Sequence, residues 1–383
     1  MRFMFIIQGE GRGHFTQALV MRELFKNRGD EVCAVLVGKS VNRQLPGFFT
    51  EKIQAPVFTF ESPNFLPTPQ NKRPRITQSI FSNLKKLPAF IPGIRLIHQK
   101  IDELQPDAII NFYELLSGLS NLFFPPQIPV ICIGHQYLFL HPDFYFPPKS
   151  KVGLASLRFF TRLTAIGSTQ KLALSFYDFP DHPDGEIIIV PPLLRQDVLN
   201  KKAVKGNYIH GYLLNSGYAS EIEKWHRRNP KLPLHFFWDK KDTPEQFSVN
   251  PNFTLHKIND HLFLEYMAGC KAYATTAGFE SVCEALFLQK PVLMVPAHIE
   301  QECNAWDAMR AGAGISSDGF DLDKLQSLIQ DYRPNPLFRQ WAQSAPSAIY
   351  EAIRDAYTRY YSRHTLFERL LSKIKIVCST IYS

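Results

Sequence analysis

Two stretches of the 383-residue chain gather residue types that could do chemistry. In the first, Gly9-Glu10-Gly11-Arg12-Gly13-His14 follows the apolar run Phe3–Gln8 and opens a helical pattern from about Thr16 to Arg28. The setting suits a dinucleotide fingerprint, but G-x-G-x-x-G counted from Gly9 requires Gly or Ala where His14 stands. Gly9, Gly11 and Gly13 are explained by a tight turn; an imidazole at that point is not. A helix N-terminus disfavours the cationic ring, leaving a neutral His14 able to accept a proton as a general base. In the second stretch, Thr275-Thr276-Ala277-Gly278-Phe279-Glu280-Ser281-Val282-Cys283-Glu284 passes from a strand through a glycine into a helix. Gly278 lets a backbone approach a ligand, and Ser281 falls in a first helical turn whose free N–H groups favour phosphate. Glu284, about one turn on, offers a carboxylate to a ribose diol. Glu300 and Gln301 follow the next strand at the same sheet edge and suit sugar hydroxyls.

Two weaker patterns carry no chemistry. Gly38-Lys39-Ser40 ends like a P-loop, but the first glycine would have to replace Cys33 inside a strand. Asp321-Leu322-Asp323 precedes a helical pattern, where capping and dipole complementation account for it. The six cysteines lie far apart with no C-x-x-C pair, which suggests neither a zinc site nor a disulfide framework.

These residues need elements to hold them at one place. Phe3–Gln8, Glu31–Val37, Ala108–Asn111 and Val130–Gly134 read as strands of a first half. Tyr208–Leu214, Leu234–Trp238, Phe253–Lys257, Lys271–Thr275 and Pro291–Val295 read as strands of a second, with helices at Ala219–Arg228, His261–Gly269, Phe279–Leu288 and Glu300–Ala311. The β-α-β rhythm predicts parallel sheets covered by helices. Val190-Pro191-Pro192 and the basic stretch Lys201–Gly206 mark the hinge. The expected fold class is α/β: two Rossmann-like, doubly wound domains facing a cleft, residues 1–200 and 201–383, the final helix being able to cross back. Ligands in such sheets bind beyond the carboxyl ends of the strands, where both glycine-bearing loops lie.

The second stretch, continued through Lys290-Pro291-Val292-Leu293-Met294-Val295-Pro296 and Glu300-Gln301-Glu302-Cys303-Asn304-Ala305, resembles the donor-nucleotide motif of GT-B glycosyltransferases. Within that family it resembles the peptidoglycan-precursor N-acetylglucosaminyl transferase and the galactolipid synthases. The resemblance covers the C-terminal motif and the loop through Thr16 and Gln17, and leaves about Leu45 to Ser175 unmatched. It implies that Gly278, Phe279 and Ser281 meet a diphosphate, Glu284 the ribose, and Glu300 and Gln301 the donor hexose. It also implies that the main chain at Ile258 holds uracil. Gly11, Gly13 and His14 match the catalytic loop, and His135 and Gln136 a polar pair on the acceptor side. Ala277 departs from the pattern, since relatives often carry Gly or Ser there. Retaining members carry a Glu eight positions before the equivalent of Glu284; here that residue is Thr276, which favours inversion. The implied activity is a metal-independent hexosyl or N-acetylhexosaminyl transfer from a UDP-sugar, the substrate itself being the only small molecule required and no cofactor.

A nucleotide-sugar epimerase and a non-catalytic GT-B scaffold are the alternatives. The former would need further acid–base residues, and the latter sits poorly with His14, Glu284 and Gln301 all in place. Nucleic-acid binding rests on a pI near 9.0 alone, without an RNP or helix-turn-helix context. With 45% hydrophobic and 20% charged residues the chain can bury real cores, which excludes global disorder. The N-terminus meets Gln8 and a glycine turn before a signal-peptide apolar region is complete, so a reduced cytoplasmic setting is expected. Between Lys72 and Lys171 stand twelve basic and five acidic residues, nearly the whole chain's excess of +8, interleaved with Ile80, Phe81, Leu84, Phe90, Leu154, Phe159 and Phe160. Basic amphipathic segments suit anionic headgroups, so a peripheral place on the inner membrane face and a lipid-linked acceptor are expected. Packing of those apolar faces on the first sheet is the competing outcome.

Overall fold

The computed structural model describes residues 1–41, 43–63, 87–148, 151–214, 216–238, 240 and 243–362. Its first sheet comprises β1 (Arg2–Gln8), β2 (Glu31–Lys39), β3 (Val57–Glu61), β4 (Ala108–Phe112), β5 (Val130–Gly134), β6 (Gln170–Leu174) and β7 (Ile187–Val190). The strand order is β3-β2-β1-β4-β5-β6-β7, all parallel. The second comprises β8 (Ile209–Leu213), β9 (Leu234–Trp238), β10 (Gln246–Asn250), β11 (Phe253–Lys257), β12 (Ala272–Thr275), β13 (Val292–Met294) and β14 (Gly314–Ser316). Its order is β10-β11-β9-β8-β12-β13-β14, parallel except for the antiparallel pair β10–β11. The helices are α1 (Arg12–Lys26), α2 (Gly47–Lys52), α3 (Leu87–Leu104), α4 (Leu115–Phe123), α5 (Lys151–Thr164), α6 (Gln196–Leu199), α7 (Ala219–Arg228), α8 (Asp260–Gly269), α9 (Phe279–Phe287), α10 (Ile299–Arg310), α11 (Leu322–Asp331), α12 (Pro336–Gln343) and α13 (345–362). Two parallel, doubly wound sheets of seven strands give the expected α/β class.

The near-continuous apolar strands follow from burial on both faces. Along β1, Phe3, Phe5 and Ile7 join the core that α1 covers with Phe15, Ala18, Met21 and Phe25. Met4 and Ile6 point the other way, toward Phe90, Ile94 and Ile97 of α3. For α3 the packing outcome therefore holds; Ile80, Phe81 and Leu84 lie outside the described residues. Asp321 caps α11, accepting from Lys324 N at 3.2 Å, as its position before the helix predicted.

The chain passes from β7 to β8 through α6, and buried Lys290 fastens this passage to the second sheet. Its Nζ donates to Val204 O at 2.7 Å and Cys270 O at 2.8 Å. The C-terminal helices then return. Trp341 Nε1 donates to Ser175 O at 2.9 Å, Tyr350 Oη to Asp30 Oδ2 at 2.8 Å, and Arg359 Nη2 to Gln170 Oε1 at 2.6 Å. Ile349, Ala352, Ile353 and Ala356 of α13 are buried in the same core cluster as Phe3 and Phe25.

Candidate active site

The loops after β1, β4, β5, β11, β12 and β13 meet at the carboxyl ends of both sheets. Helix α1 begins at Arg12 with Gly11 as its N-cap, four residues earlier than the apolar pattern predicts, so His14 lies inside the first turn. Gly9 makes the entry possible. Its N–H donates to Gly38 O at 2.7 Å, and a Cβ there would stand 2.8 Å from Val37 Cγ1.

His14 is half-buried, its ring stacked 6.0 Å from Tyr113, with Nδ1 3.4 Å from Gln17 Oε1. Its pKa is lowered, chiefly by burial, while the nearby Glu300 carboxylate pulls the other way. The neutral ring expected from the helix end is thus favoured, with desolvation as the main cause. Tyr113 holds a left-handed backbone, φ 62°, and donates or accepts at Thr161 Oγ1 at 2.8 Å. Strained conformations of this kind collect at functional sites.

From the second half, α9 presents the first-turn N–H groups of Phe279 and Ser281, with Gly278 as N-cap. Ser281 Oγ donates to Gly278 O at 3.1 Å. The Phe279 ring is turned away, stacked 4.1 Å from His135 and packed on Phe176. Ala277 takes φ 63°, the left-handed region that glycine prefers. Glu284 is buried and paired with Arg195, whose Nε and Nη2 donate to its Oε1 at 3.0 and 2.7 Å. Ile258 N–H donates to Trp238 O at 3.1 Å. Gln301 Oε1 accepts from Ala297 N at 2.9 Å.

Glu300 faces the other half directly, its Oε1 accepting from Gln136 Nε2 at 3.0 Å. His135 does not line the cleft. It is buried, Nδ1–H donates to Leu174 O at 2.7 Å, and burial lowers its pKa to about 4. Its Nε2 lies 4.0 Å from Oδ2 of Asp307, whose Oδ1 accepts from Tyr177 Oη at 2.6 Å and whose pKa burial raises to about 6.

Sequence reasoning missed Arg12, Tyr113, Arg195, Glu280 and Asp307. Arg12 reaches Asp260 across the halves at 2.7 Å. Glu280 accepts from Gln17 Nε2, and a Cβ on Gly13 would fall on its carboxylate. Burial, with Glu300 and Glu284 nearby, pushes that carboxyl up to about 7. An acidic residue in a first helical turn is ordinarily explained by the dipole, and nothing in the local sequence points across to Gly13.

The two sheets, with side chains paired across the cleft between their carboxyl ends, have the geometry of a GT-B fold. The glycosyl transferase family 1 profile matches residues 1–332. The chain belongs to that family and is a glycosyltransferase. No curated protein matches it. Among solved structures, it is similar to the glycotransferase of kitacinnamycin at TM-score 0.63 and 16% identity, over 93% of this chain and 99% of that one. Medicago truncatula UGT71G1, complexed with UDP-glucose, gives 0.62 and 13%, over 93% and 98%. Arabidopsis thaliana UGT89C1, complexed with UDP-L-rhamnose, gives 0.57 and 16%, over 94% and 98%.

Proposed function

We propose that the protein is an inverting, metal-independent transferase moving a hexose or N-acetylhexosamine from a UDP-sugar to an acceptor hydroxyl. The observation that carries this reading is the meeting of His14, Tyr113 and Glu300 beside the N-terminus of α9. Two relatives of the same fold are complexed with UDP-sugars, which supports the donor class.

Residues 1–200 serve as the acceptor half and the second sheet with its helices, from residue 201 on, as the donor half, while α12 and α13 cross back to the first. The first-turn amides of α9, at Phe279 and Ser281, take the diphosphate after Gly278. Glu284 offers the ribose its second oxygen, Oε2, since Arg195 holds Oε1. At Ile258 the N–H is occupied, so the carbonyl accepts from uracil. Glu300 and Gln301 contact the hexose, and Gln136 positions Glu300. His14 removes the acceptor proton while the hydroxyl oxygen attacks the anomeric carbon. The bond to UDP breaks on the opposite face, and its electron pair passes to the diphosphate, which the helix amides stabilise. His135 braces Phe279 from behind rather than touching acceptor.

A lipid-linked acceptor is the reading favoured by the motif's resemblance to the peptidoglycan-precursor and galactolipid enzymes, and α5 supports it. On that helix Val152 and Phe159 are 77% and 61% exposed beside exposed Lys151 and Arg162. A Cβ at Gly153 would lie 3.5 Å from Ile299 Cγ1, which puts the helix next to the donor half. Among the described residues no helix is long and apolar enough to cross a membrane, so contact would be peripheral. The direct test is UDP release from a panel of nucleotide sugars, with and without lipid-linked and soluble acceptors. Sugar interconversion without transfer would support an epimerase instead.

A further inference from the structure

We infer that Glu280 of the second half is a positioning residue for His14 of the first, acting through the Gln17 amide to fix which imidazole nitrogen is free to take a proton. This rests on the reading of His14 as the base.

The inference follows from hydrogen-bond direction. An amide group presents a donor on one side and an acceptor on the other, and nothing intrinsic to Gln17 decides which faces His14. Glu280 decides it. An ionised carboxylate only accepts, so Gln17 must offer it Nε2–H, and that is the contact present. The amide oxygen is then left toward His14 Nδ1, at 3.4 Å. An oxygen there accepts only from Nδ1–H, which places the imidazole proton on Nδ1 and leaves Nε2 as the basic nitrogen. The separation is long for a hydrogen bond, as catalytic contacts often are before substrate binds.

A second observation joins Glu280 to this loop independently. Gly13 lies where a Cβ would overlap the Glu280 carboxylate, so a side chain at position 13 would force the carboxylate away. The glycine immediately before the base is thereby explained by a residue about 270 positions downstream. Glu280 also sits between Phe279 and Ser281 in the proposed diphosphate turn. Seating of the donor and orientation of the base therefore share one helical turn.

The groups facing Glu280 are His14 through Gln17 on α1, Cys283 and Glu284 on its own helix, and Glu300 on α10. Protonated Glu280 can donate to the amide oxygen; the amide then turns its NH₂ toward Nδ1 and selects the Nε2–H tautomer, which cannot accept the acceptor's proton. Because burial and the neighbouring carboxylates raise this carboxyl to about 7, the change falls in the neutral range.

The test reads the tautomer directly, by ¹⁵N spectra of histidine-labelled full chain, with His14 assigned by its loss in His14→Ala. The expected wild-type spectrum at pH 8 has Nδ1 protonated and Nε2 bare. Glu280→Gln, which is isosteric, and Gly13→Ala should both give mixed or reversed protonation, with turnover falling on the order of 10²-fold, within the range of a lost general base. Adding Gln17→Glu to Glu280→Gln should restore the Nδ1–H form, since a carboxylate accepts from it in either orientation. A wild-type His14 protonated on Nε2, or an unchanged tautomer in both single variants, would overturn the inference. Failure of every nucleotide sugar to release UDP would sink the transferase reading, and the spectra would still decide the role of Glu280.

Discussion

Arg195 and Glu284 form a two-pronged ion pair in which two of the three guanidinium nitrogens, Nε and Nη2, fall on one carboxylate oxygen. Arg195 stands at the N-cap of α6, on the passage between the sheets, and Glu284 on α9 of the second. The carboxylate assigned to ribose is thus oriented from outside its own sheet.

Glu284→Ala is therefore expected to do two things. Loss of charge-assisted hydrogen bonds should weaken UDP binding by about 1.5–3 kcal/mol. Because Glu284 is buried and its removal strands Arg195, it should also lower stability by roughly 1–3 kcal/mol, below the range for a fully enclosed pair. Calorimetry with UDP and urea unfolding separate the effects. Arg195→Ala strands the more buried Glu284 and should cost at least as much stability, with a smaller loss of UDP affinity; unchanged UDP affinity in both variants would dismiss this carboxylate as the ribose ligand.

His14→Ala should reduce turnover ~10²–10⁴-fold while UDP affinity stays near wild type, because the base lies on the half opposite the donor. Near-normal turnover would take His14 out of the chemistry.

Glu114 gives stability a sign with pH. It caps α4, accepting at Oε1 from Ser62 Oγ at 2.6 Å and Leu116 N at 3.0 Å, while Oε2 is buried without a partner. Burial raises its pKa from 4.5 to about 7. With the folded value above the unfolded one, its contribution is complete below about 4.5 and is lost as pH rises through 7. Glu114→Gln keeps the accepting oxygen and removes the titration. Above pH 7 it should be about 1–3 kcal/mol more stable than wild type, and the advantage should vanish at pH 4. Parallel stability–pH curves for the two proteins would contradict this.

Ala277→Gly should relieve a left-handed alanine and raise stability by about 0.5–1 kcal/mol, the strain released exceeding the added chain entropy. Thermal unfolding is sufficient to read it; a lower midpoint would mean that the Ala277 methyl packs better than its backbone is strained.

Sedimentation with liposomes should show binding that rises with anionic lipid and falls with salt, and Phe159→Glu should weaken it. Binding insensitive to both would point to a soluble acceptor.

Periodicity made the βα framework legible, because strands such as β5, β9 and β11 are short apolar runs bounded by turn residues and match the structure to the residue. Strands β3, β6, β7, β10 and β14 escaped it. In Gln246–Asn250, for instance, Phe247 is exposed on an antiparallel edge and carries no burial signal. The start of α1 was misplaced because Gly11, its cap, makes no side-chain hydrogen bond and so lacks the usual Ser, Thr or Asp mark. Gly278, Ser281 and Glu284 were legible as an ordered motif on one helix. Arg195, Glu280 and Asp307 were not, since each gains its meaning from a partner on another element, and local spacing holds no record of it.

The return of α12 and α13 bears on how the protein is made. Asp30, near the beginning of the chain, binds both the N-terminal amine at 2.5 Å and Tyr350 Oη. On the ribosome the first sheet can pair its seven strands long before residue 350 is synthesised, yet the apolar strip that Ile349, Ile353 and Ala356 cover stays bare until then. Throughout translation of the second sheet the nascent first half therefore carries an open, sticky flank. A chain truncated before α13 should keep that flank for good, with aggregation rather than a smaller working enzyme as the outcome.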